Sequence, residues 1–406
     1  MLTYQRSSAL RLFILVFAMV AGLAIVLGAM FSAARAQAAP QYTFTRVADS
    51  AEDGFDPFSF ECSAINNRGD IAFRTARAPR RGSQLIQGIY RANADGSRLT
   101  TITEVGDGFD FLGQIPSIND LGEVSFALRD FTQRGPNFLE TQSIMRGDGR
   151  KPPVTIATTA GEFNQFGFEP TINNGGVVAF KAQLDTFDQG LFSGQDGKRS
   201  TLTTHYLSST SQFSEFGTLS RPSINNLGDI AFEESVDSGA SGIFVTEGSG
   251  FKTIAAPDPN VNVGWPTLND SGTVAFHRFF NDRAGEELVS GNGGPLTVIA
   301  DTTSGPFQSF GFTFVGFTPP ALNNNGDVAF FADLDSGGSG IFVGPDPVAD
   351  RVVGTGDKLD GPAVTNLRFC DEGLNDSGQL AFHATFDDPS VPGGVRVAIY
   401  RATPAP

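Results

Sequence analysis

Ile224-Asn225-Asn226-Leu227-Gly228-Asp229-Ile230-Ala231-Phe232 is one of seven copies of a pattern that decides the fold. Every copy has an aliphatic residue, an Asn, then Asn or Asp, a Gly two positions later and a closing Phe. The first Asn of the copies lies at positions 66, 119, 173, 225, 269, 323 and 375, so the copies are 44 to 54 residues apart. Repeats of this length are typical of proteins built from one repeated supersecondary unit.

The residue types of this motif are those of a tight hairpin turn. Asn followed three residues later by Gly suits a type I turn that ends in a left-handed residue, because Gly reaches that conformation without a Cβ clash. The Asn side chain can also bond to the backbone two residues on. Clustered Asn and Asp around a Gly also begin calcium-binding loops, but no copy continues to a bidentate Glu. The motif therefore predicts strand, turn and strand, with turn chemistry favoured over a bound ion.

Further recurrent strands complete a four-stranded unit. A strand such as Gly340-Ile341-Phe342 follows the motif, and one such as Val154-Thr155-Ile156-Ala157 comes fourth. The seventh unit stops after Ile399-Tyr400 without a fourth strand, whereas the alternating segment from Tyr42 to Ala48 has no motif before it. If the N-terminal segment supplies the missing fourth strand of the seventh unit, the units close into a ring. We expect an all-β, seven-bladed β-propeller with four-stranded blades, closed by the N-terminal strand that completes the last blade; an open β-solenoid is the alternative.

The N-terminus has the pattern of an export signal. Arg6 and Arg11 precede an uncharged run from Leu12 to Phe31, and small residues follow up to Ala38. This is typical of a secretory signal, although such a run is also long enough to span a bilayer. We expect a signal peptide over residues 1–38, a single propeller domain over 39–403 and a tail over 404–406. The mature protein is then periplasmic or extracellular; an uncleaved N-terminal membrane anchor is the alternative.

The chain is acidic, with 28 basic and 44 acidic residues and a formal net charge of -16. Nucleic acids and anionic membrane surfaces repel a protein of this charge. We therefore expect no nucleic-acid partner and no membrane contact beyond the signal segment. The apolar content of 40% indicates a globular protein, which we expect to be a monomer.

The two cysteines, Cys62 and Cys370, occupy similar places in the first and seventh units. These units are neighbours in a closed ring, so the thiols approach each other although they are far apart in sequence. An exported protein meets an oxidising compartment. We predict a disulfide between them that fastens the ring; two free buried thiols are the alternative.

A candidate binding site lies where the chain enters each motif, because ligand sites concentrate at the mouths of such channels. Four residues before the first Asn, units three, four and five have Glu169, Arg221 and Trp265, and Asp371 and Glu372 lie at this place in unit seven. A carboxylate, a guanidinium and an indole on one rim suit a sugar or another polar small molecule. An ion pair beside an aromatic plug is the alternative.

The motif Phe is expected to pack between neighbouring sheets. The next position is occupied by Arg74, Ala127, Lys181, Glu233, His277, Phe331 and His383. This variety predicts a position that tolerates almost any side chain, with both histidines solvated or packed between blades. A metal site there, or at the remaining His205, is weakly supported because no third ligand has a useful spacing. We expect no metal and no cofactor.

The seven motifs resemble the tandem I-N-x-x-G-x-V-A-F repeats of bacterial exported proteins, of the HAF-like extracellular type. The resemblance covers nearly all of residues 42–402. It implies export and a propeller-like fold, and it carries over no activity and no catalytic residue. Many similar proteins end in a sorting tail with Pro-Glu-Pro, an apolar span and a basic end; the terminus Arg401 to Pro406 departs from that pattern.

The sequence has no G-x-S-x-G elbow, no phosphate-binding Gly loop and no H-E-x-x-H motif. We expect a non-catalytic binding or structural scaffold at the cell envelope, with a carbohydrate or an envelope protein as its partner. One alternative is a propeller hydrolase or lyase that acts on polysaccharide at the rim described above. Another is a protein-docking module that uses the basic outer loop of Arg77, Arg80 and Arg81.

Overall fold

A computed structural model describes most of the chain that follows the N-terminal segment. The described residues are 42–77, 85–106, 110–134, 137–167, 169–196, 203–207, 221–236, 239–248, 250–313, 316–317 and 319–405. The predicted signal peptide, residues 1–38, lies outside them. Within these described ranges, no helix combines the length and the apolar character needed to cross a membrane.

Seven antiparallel sheets, here called blades 1 to 7, follow one another along the chain and form the predicted β-propeller. The strands of the first three blades, from the inside outwards, are β2 (Ser63–Ile65), β3 (Ile71–Arg77), β4 (Ile86–Ala92) and β5 (Leu99–Val105) in blade 1; β6 (Phe111–Leu112), β7 (Ser117–Ile118), β8 (Val124–Arg134), β9 (Asn137–Gly147) and β10 (Val154–Thr158) in blade 2; and β11 (Phe163–Phe166), β12 (Thr171–Ile172), β13 (Val178–Leu184), β14 (Gln189–Gly194) and β15 (Thr203–Leu207) in blade 3.

The later blades follow the same order. Their strands are β16 (Ser223–Ile224), β17 (Ile230–Ser235), β18 (Ser241–Glu247) and β19 (Gly250–Ala255) in blade 4; β20 (Val261–Leu268), β21 (Val274–Phe280), β22 (Glu286–Gly291) and β23 (Thr297–Asp301) in blade 5; β24 (Phe307–Ser309), β27 (Ala321–Leu322), β28 (Val328–Leu334), β29 (Ser339–Val343) and β30 (Arg351–Gly354) in blade 6; and β31 (Val364–Leu374), β32 (Leu380–Asp387), β33 (Val395–Pro404) and β1 (Tyr42–Asp49) in blade 7. In blades 2, 3 and 6 the inner strand is divided into two pieces. A short ribbon of β25 (Phe312–Thr313) and β26 (Gly316–Phe317) and the single-turn helix α1 (Ser50–Asp53) complete the fold.

The N-terminal strand closes the ring. Strand β1 pairs antiparallel with β33, from Tyr42 opposite Pro404 to Asp49 opposite Ala398. Blade 7 therefore takes three strands from the end of the chain and its outer strand from the beginning, as the unmatched ends of the repeat predicted. The last strand includes Pro404, so it runs one residue into the segment 404–406 that we expected to be a tail.

Each motif forms the predicted hairpin turn. In the first copy, the Gly69 N–H donates to the Asn66 carbonyl at 2.9 Å, and the Asn66 N–H donates to the Asp70 carbonyl at 3.0 Å. The Oδ1 atom of Asn66 accepts from the N–H groups of Arg68 and Asp70. The seven motif glycines have φ between 71° and 92°, a region in which other residues are strained. The choice of Asn and Gly is thus explained by the turn.

The same Asn also binds the neighbouring blade. In all seven blades its Nδ2 donates to the backbone carbonyl of the first motif Asn in the next blade, at 2.9 to 3.2 Å. The last bond runs from Asn375 to Asn66, so the series is a closed circle. In a second circle, the N–H of each second motif residue donates to Oδ1 of its counterpart in the next blade at 2.8 to 2.9 Å. We call these the two asparagine circles.

The motif Phe packs between blades, as predicted. All seven copies are at most 1% exposed, and Phe180 of blade 3 packs with Ile144 of blade 2. The next residue points to the opposite side, because successive side chains of a strand face opposite ways. It faces the following blade and is also enclosed: His277 is 0% exposed and His383 is 4% exposed. The two histidines are therefore packed between blades, which is one of the two outcomes predicted for them, and the tolerance of this position to substitution stays a prediction.

The predicted disulfide is present. Cys62, which precedes blade 1, is bonded to Cys370 in β31 of blade 7, with their Cα atoms 5.8 Å apart and 308 positions between them in sequence. Beside it, Arg368 Nη1 donates to Glu61 Oε2 at 2.8 Å, which also joins blade 7 to the entry of blade 1. A disulfide is compatible with an exported protein.

The asparagine circles make the first Asn a stability determinant. Replacing Asn225 by Ala removes the acceptor of the Leu227 and Asp229 N–H groups and the donor to the Asn269 carbonyl. We expect the free energy of unfolding, measured with urea, to fall by about 2–4 kcal/mol, because buried polar groups lose their partners. The matched control is Leu227→Ala in the same turn, whose side chain is 73% exposed. Equal effects of the two changes would contradict the role given to the circles.

The disulfide is expected to stabilise the closed ring by about 2–4 kcal/mol, since it restricts the unfolded chain. The double change Cys62→Ser with Cys370→Ser should lower the free energy of unfolding by that amount, seen as a lower midpoint in chemical unfolding. Mass spectrometry after alkylation without reductant should find neither thiol modified in the unaltered protein. Alkylation of both thiols under those conditions would show that the bond is absent in solution.

Candidate functional site

A narrow cavity follows the axis of the ring and is enclosed by the inner strands and turns of the blades. Its volume is about 150 Å³. The acidic residues of its wall are Asp120, Asp270 and Asp376 from the second asparagine circle, together with Asp371 and Glu372 from β31. The wall of this axial cavity is therefore strongly polar and acidic.

Arg221 joins two blades that are not neighbours. It immediately precedes the inner strand of blade 4, whereas Asp371 and Glu372 belong to blade 7, three blades further round the ring. Its Nη1 donates to Asp371 Oδ2, and its Nη2 donates to Glu372 Oε1 at 2.7 Å. The side chains of Arg221, Asp371 and Glu372 are 5%, 9% and 24% exposed. This ion pair crosses the axis and connects opposite sides of the propeller.

Blades 2 and 3 contribute to the same group of side chains. Glu372 accepts hydrogen bonds from the Ser117 hydroxyl and the Ile118 N–H of blade 2. Ser117 Oγ in turn accepts from the Ile172 N–H of blade 3 at 3.0 Å. Glu169 of blade 3 is close enough to Arg221 and Asp371 to interact with both electrostatically. We call Glu169, Arg221, Asp371 and Glu372 the axial cluster.

The axial cluster contains three carboxyl groups for one guanidinium, and this excess shapes their ionisation. Burial raises the pKa of Glu372 to about 7; Arg221 opposes the shift and Asp371 adds to it. Burial likewise raises the pKa of Glu169. For Arg221, burial lowers the pKa, but the neighbouring carboxylates outweigh it and raise the pKa overall. Arg221 therefore stays charged, while Glu372 retains its proton up to about neutral pH.

Two atoms of the axial cluster keep unused hydrogen-bonding capacity. Arg221 Nε and Asp371 Oδ1 are buried without a partner in the part of the chain that the structure describes. Buried polar groups are normally satisfied by protein or by ordered water. Water molecules fit a polar cavity of this size, and they would complete the hydrogen bonding of the cluster.

Trp265 lies in a different environment from the four charged residues predicted with it. Its ring packs edge-on against His277 and Phe279, with centroids 6.1 and 6.0 Å apart. The backbone N–H of Trp265 donates to the carboxylate of Glu233. Trp265 does not occur among the described residues that line the axial cavity. The structure therefore brings the charged residues together across the axis and packs the indole against His277 and Phe279 of its own blade.

Sequence reasoning missed a buried ion pair between blades 3 and 4. Lys181 Nζ lies 2.7 Å from Glu234 Oε2, and their side chains are 1% and 0% exposed. Nζ also donates to the Glu233 carbonyl at 3.0 Å. Burial raises the pKa of the Glu233 carboxyl to about 7, with Lys181 opposing the shift and Glu234 adding to it. A Lys directly after the motif Phe and two adjacent Glu in the next unit were the available signals.

The remaining candidates give no site for a metal. Among the described residues, no group of three or more His, Cys, Asp or Glu side chains is placed to hold a metal ion.

Of the basic outer loop, Arg77 is engaged within its own part of the protein: its Nε donates to the Tyr90 hydroxyl at 3.0 Å and its guanidinium lies over the Phe55 ring. Arg80, Arg81 and the side chain of His205 lie outside the described residues.

The model of a protein family described as "Family of unknown function (DUF7453)" matches residues 154–404, which is more than half of the chain. No curated protein matches the sequence.

Several solved structures are similar in fold. Prolyl oligopeptidase B from Galerina marginata is 8% identical, with a TM-score of 0.51 over 87% of this chain and 48% of that one. The GH74 xyloglucanase from Xanthomonas campestris is 13% identical, with a TM-score of 0.47 over 87% and 55% of the two chains. Polysaccharide lyase Uly1 is 11% identical, with a TM-score of 0.47 over 85% and 89%. The chain spans about half the length of the first two, and identities this low concern the fold alone.

The raised pKa of Glu372 predicts a pH-dependent stability. Between its usual value of 4.5 and about 7, the unfolded carboxyl is ionised while the folded one holds its proton. This stabilising contribution is complete below about pH 4.5 and is lost as the pH rises through 7, by about 3 kcal/mol in total. Glu372→Gln does not titrate, so its unfolding free energy should resemble that of the unaltered protein at pH 5 and exceed it by up to that amount at pH 8.

The measurement is urea unfolding of both proteins across this pH range. Glu247→Gln, on an exposed side chain, controls for the general effect of removing an acid. A difference between Glu372→Gln and the unaltered protein that stays constant with pH would contradict the assignment.

Proposed function

Since the chain belongs to DUF7453, a family of unknown function, we propose its function from its own geometry: an exported β-propeller that serves as a non-catalytic binding scaffold at the cell envelope. The partner is a carbohydrate or an envelope protein, and the protein acts as a monomer in the periplasm or outside the cell.

The small size of the axial cavity is the main observation in support of this proposal. Sites for small molecules have volumes of about 300–1,000 Å³, whereas this cavity has about 150 Å³. A sugar ring with its hydroxyl groups is therefore too large for the space beside Asp371 and Glu372. The charged groups that would perform chemistry there are bound to one another across the axis. Their contacts favour a role in joining blades over a role in turnover.

Three features support export and a binding role. The Cys62–Cys370 disulfide suits an oxidising compartment. The repeat motif resembles those of exported bacterial proteins. A rigid ring fastened by hydrogen-bonded circles, an ion pair across its axis and a disulfide presents its loops at fixed positions, and loops held by a rigid framework are where proteins commonly bind partners.

A hydrolase or lyase that acts on polysaccharide is the second candidate, and Glu372 favours it. A carboxyl whose pKa is about 7, beside other carboxylates, has the ionisation expected of a general acid. The bond to Arg221 and the small cavity oppose that reading, because a substrate would have to displace the guanidinium to reach the acid.

Turnover assays separate the two candidates. The purified protein should migrate more slowly in native gels that contain at least one of cellulose derivatives, xyloglucan, mannan or polygalacturonate. If the partner is a protein, the purified protein should instead capture an envelope protein. Prolonged incubation with each polysaccharide should release no reducing ends and no unsaturated sugar above a heat-denatured sample. We expect this result because the axial cluster is closed to substrate.

Glu372→Gln is the decisive control. Products that form with the unaltered protein, and disappear in a Glu372→Gln protein that unfolds at the same or a higher temperature, would overturn the scaffold proposal in favour of the enzyme. Products that persist in Glu372→Gln would also overturn it and would place the chemistry elsewhere.

A further inference from the structure

A second cavity, much larger than the axial one, lies along blade 7. Its volume is about 590 Å³, within the range of about 300–1,000 Å³ that small-molecule sites occupy. Its walls come from blade 6, from β32 and the first parts of β31 and β33 in blade 7, and from the segment that leads into blade 1. Phe58, Phe331, Asn366, Arg368, His383 and Thr385 are the lining residues that matter below. We call this cavity the blade 7 groove.

An exposed aromatic ring stands at the edge of the groove. Phe58 is 76% exposed, in a protein whose motif phenylalanines are all buried. Its segment is nevertheless well anchored: the Asp56 N–H donates to the Ala76 carbonyl at 2.8 Å, and the Ser59 hydroxyl bonds to that of Thr75 at 2.9 Å. The ring is therefore presented to solvent on a fixed backbone. Because Phe58 lines the groove, a ligand held there would contact this ring.

A buried histidine lines the same groove and keeps an unused nitrogen. His383 is 4% exposed, and its Nε2 is buried without a hydrogen-bond partner in the part of the chain that the structure describes. Burial lowers the pKa of His383 to about 3, and Arg368 adds to this shift, so the imidazole is neutral. A neutral imidazole nitrogen donates or accepts one hydrogen bond according to its tautomer. A hydroxyl group in the groove would satisfy it in either case.

The charged groups of the groove already have hydrogen-bond partners in the protein. Arg368 Nη1 donates to the Phe60 carbonyl and to Glu61 Oε2, both at 2.8 Å. Asp333 Oδ2 accepts from the Ser309 hydroxyl at 2.8 Å. An anionic ligand would have to compete with Glu61 for the guanidinium. The amide of Asn366, exposed at the edge, and the half-buried Thr385 add neutral polar groups.

These features together specify a neutral molecule that has both hydroxyl groups and apolar faces. We propose that the blade 7 groove binds a neutral saccharide, with Phe58 against the apolar face of a sugar ring and His383 Nε2 bonded to one of its hydroxyl groups. Sugars combine C–H faces, which pack on aromatic rings, with hydroxyls that donate and accept. This inference rests on the proposed binding function and names both the place and the class of its ligand.

The test uses cellohexaose, mannohexaose and chitohexaose as neutral probes and hexagalacturonate as the acidic comparison. Binding to the purified protein is measured by titration calorimetry and by saturation-transfer NMR. At least one neutral hexasaccharide should bind, and more tightly than hexagalacturonate. Phe58→Ala should weaken that binding about tenfold, equivalent to about 1.4 kcal/mol. Phe187→Ala is the matched control, because Phe187 is 70% exposed and does not line the groove, so its loss should leave the affinity unchanged.

His383→Phe distinguishes a ligand contact from a structural role. Phe331 occupies the corresponding position in blade 6, so the space between blades accepts a phenyl ring there. Removing an unpaired buried nitrogen should leave the unfolding temperature unchanged or raise it. Affinity for the neutral hexasaccharide should nevertheless fall about tenfold, because the hydroxyl loses its partner.

The inference would be overturned if no neutral hexasaccharide binds, or if binding is unaffected by both Phe58→Ala and His383→Phe. Tighter binding of hexagalacturonate would also overturn it. Cleavage of a bound hexasaccharide is a separate outcome, seen as shorter products by chromatography. If Phe58→Ala abolishes that cleavage, the groove is supported while the non-catalytic function is overturned.

Discussion

The amide side chain of the first motif Asn is the contact on which the rest of the structure depends. Its oxygen holds the turn of its own blade, and its nitrogen binds the main chain of the next blade. The first circle uses both a donor and an acceptor, so only an amide serves there. The second circle uses only the side-chain oxygen, so Asp serves as well as Asn. No two neighbouring blades both have Asp at the second motif position. A carboxylate there therefore has an amide beside it, and the Asn174 amide nitrogen bonds to the Asp120 carboxylate at 2.6 Å.

Filling of the axis has a consequence for where ligands meet the protein. The axial cluster and the asparagine circles occupy the space that the inner strands leave, and a larger cavity lies further out, along blade 7. That blade differs from the others because it is completed by β1, and the chain must then pass from β1 into blade 1. The connecting segment carries Phe58 and forms one wall of the groove. Closure of the ring and formation of the groove are thus parts of one chain path.

The ring could be predicted from sequence because its signals are local and repeated. The fold is predicted by the seven turns. Closure of the ring is predicted by the surplus strand at the beginning of the chain and the missing fourth strand of the last unit, and the disulfide by two cysteines in adjoining units. Contacts between distant units are harder to predict from the sequence. Arg221 was grouped with Asp371 and Glu372 by position, but a bond across the axis depends on the width of the ring. Trp265 shares that sequence position and yet turns toward His277. The groove joins Phe331 and His383, which share one position of the repeat, with Phe58, which no repeat pattern connects to them.

The disulfide also determines what a cut in the backbone does to this molecule. A protease that nicks any loop between Cys62 and Cys370 leaves two fragments that remain tethered through sulfur, and most of the chain lies in that interval. A cut in the short stretch before Cys62 is different, because β1 is then held only by noncovalent contacts such as its pairing with β33. Resistance to digestion is therefore unevenly distributed: broad along the chain between the two cysteines, and lower at the segment that links the closing strand to the first blade.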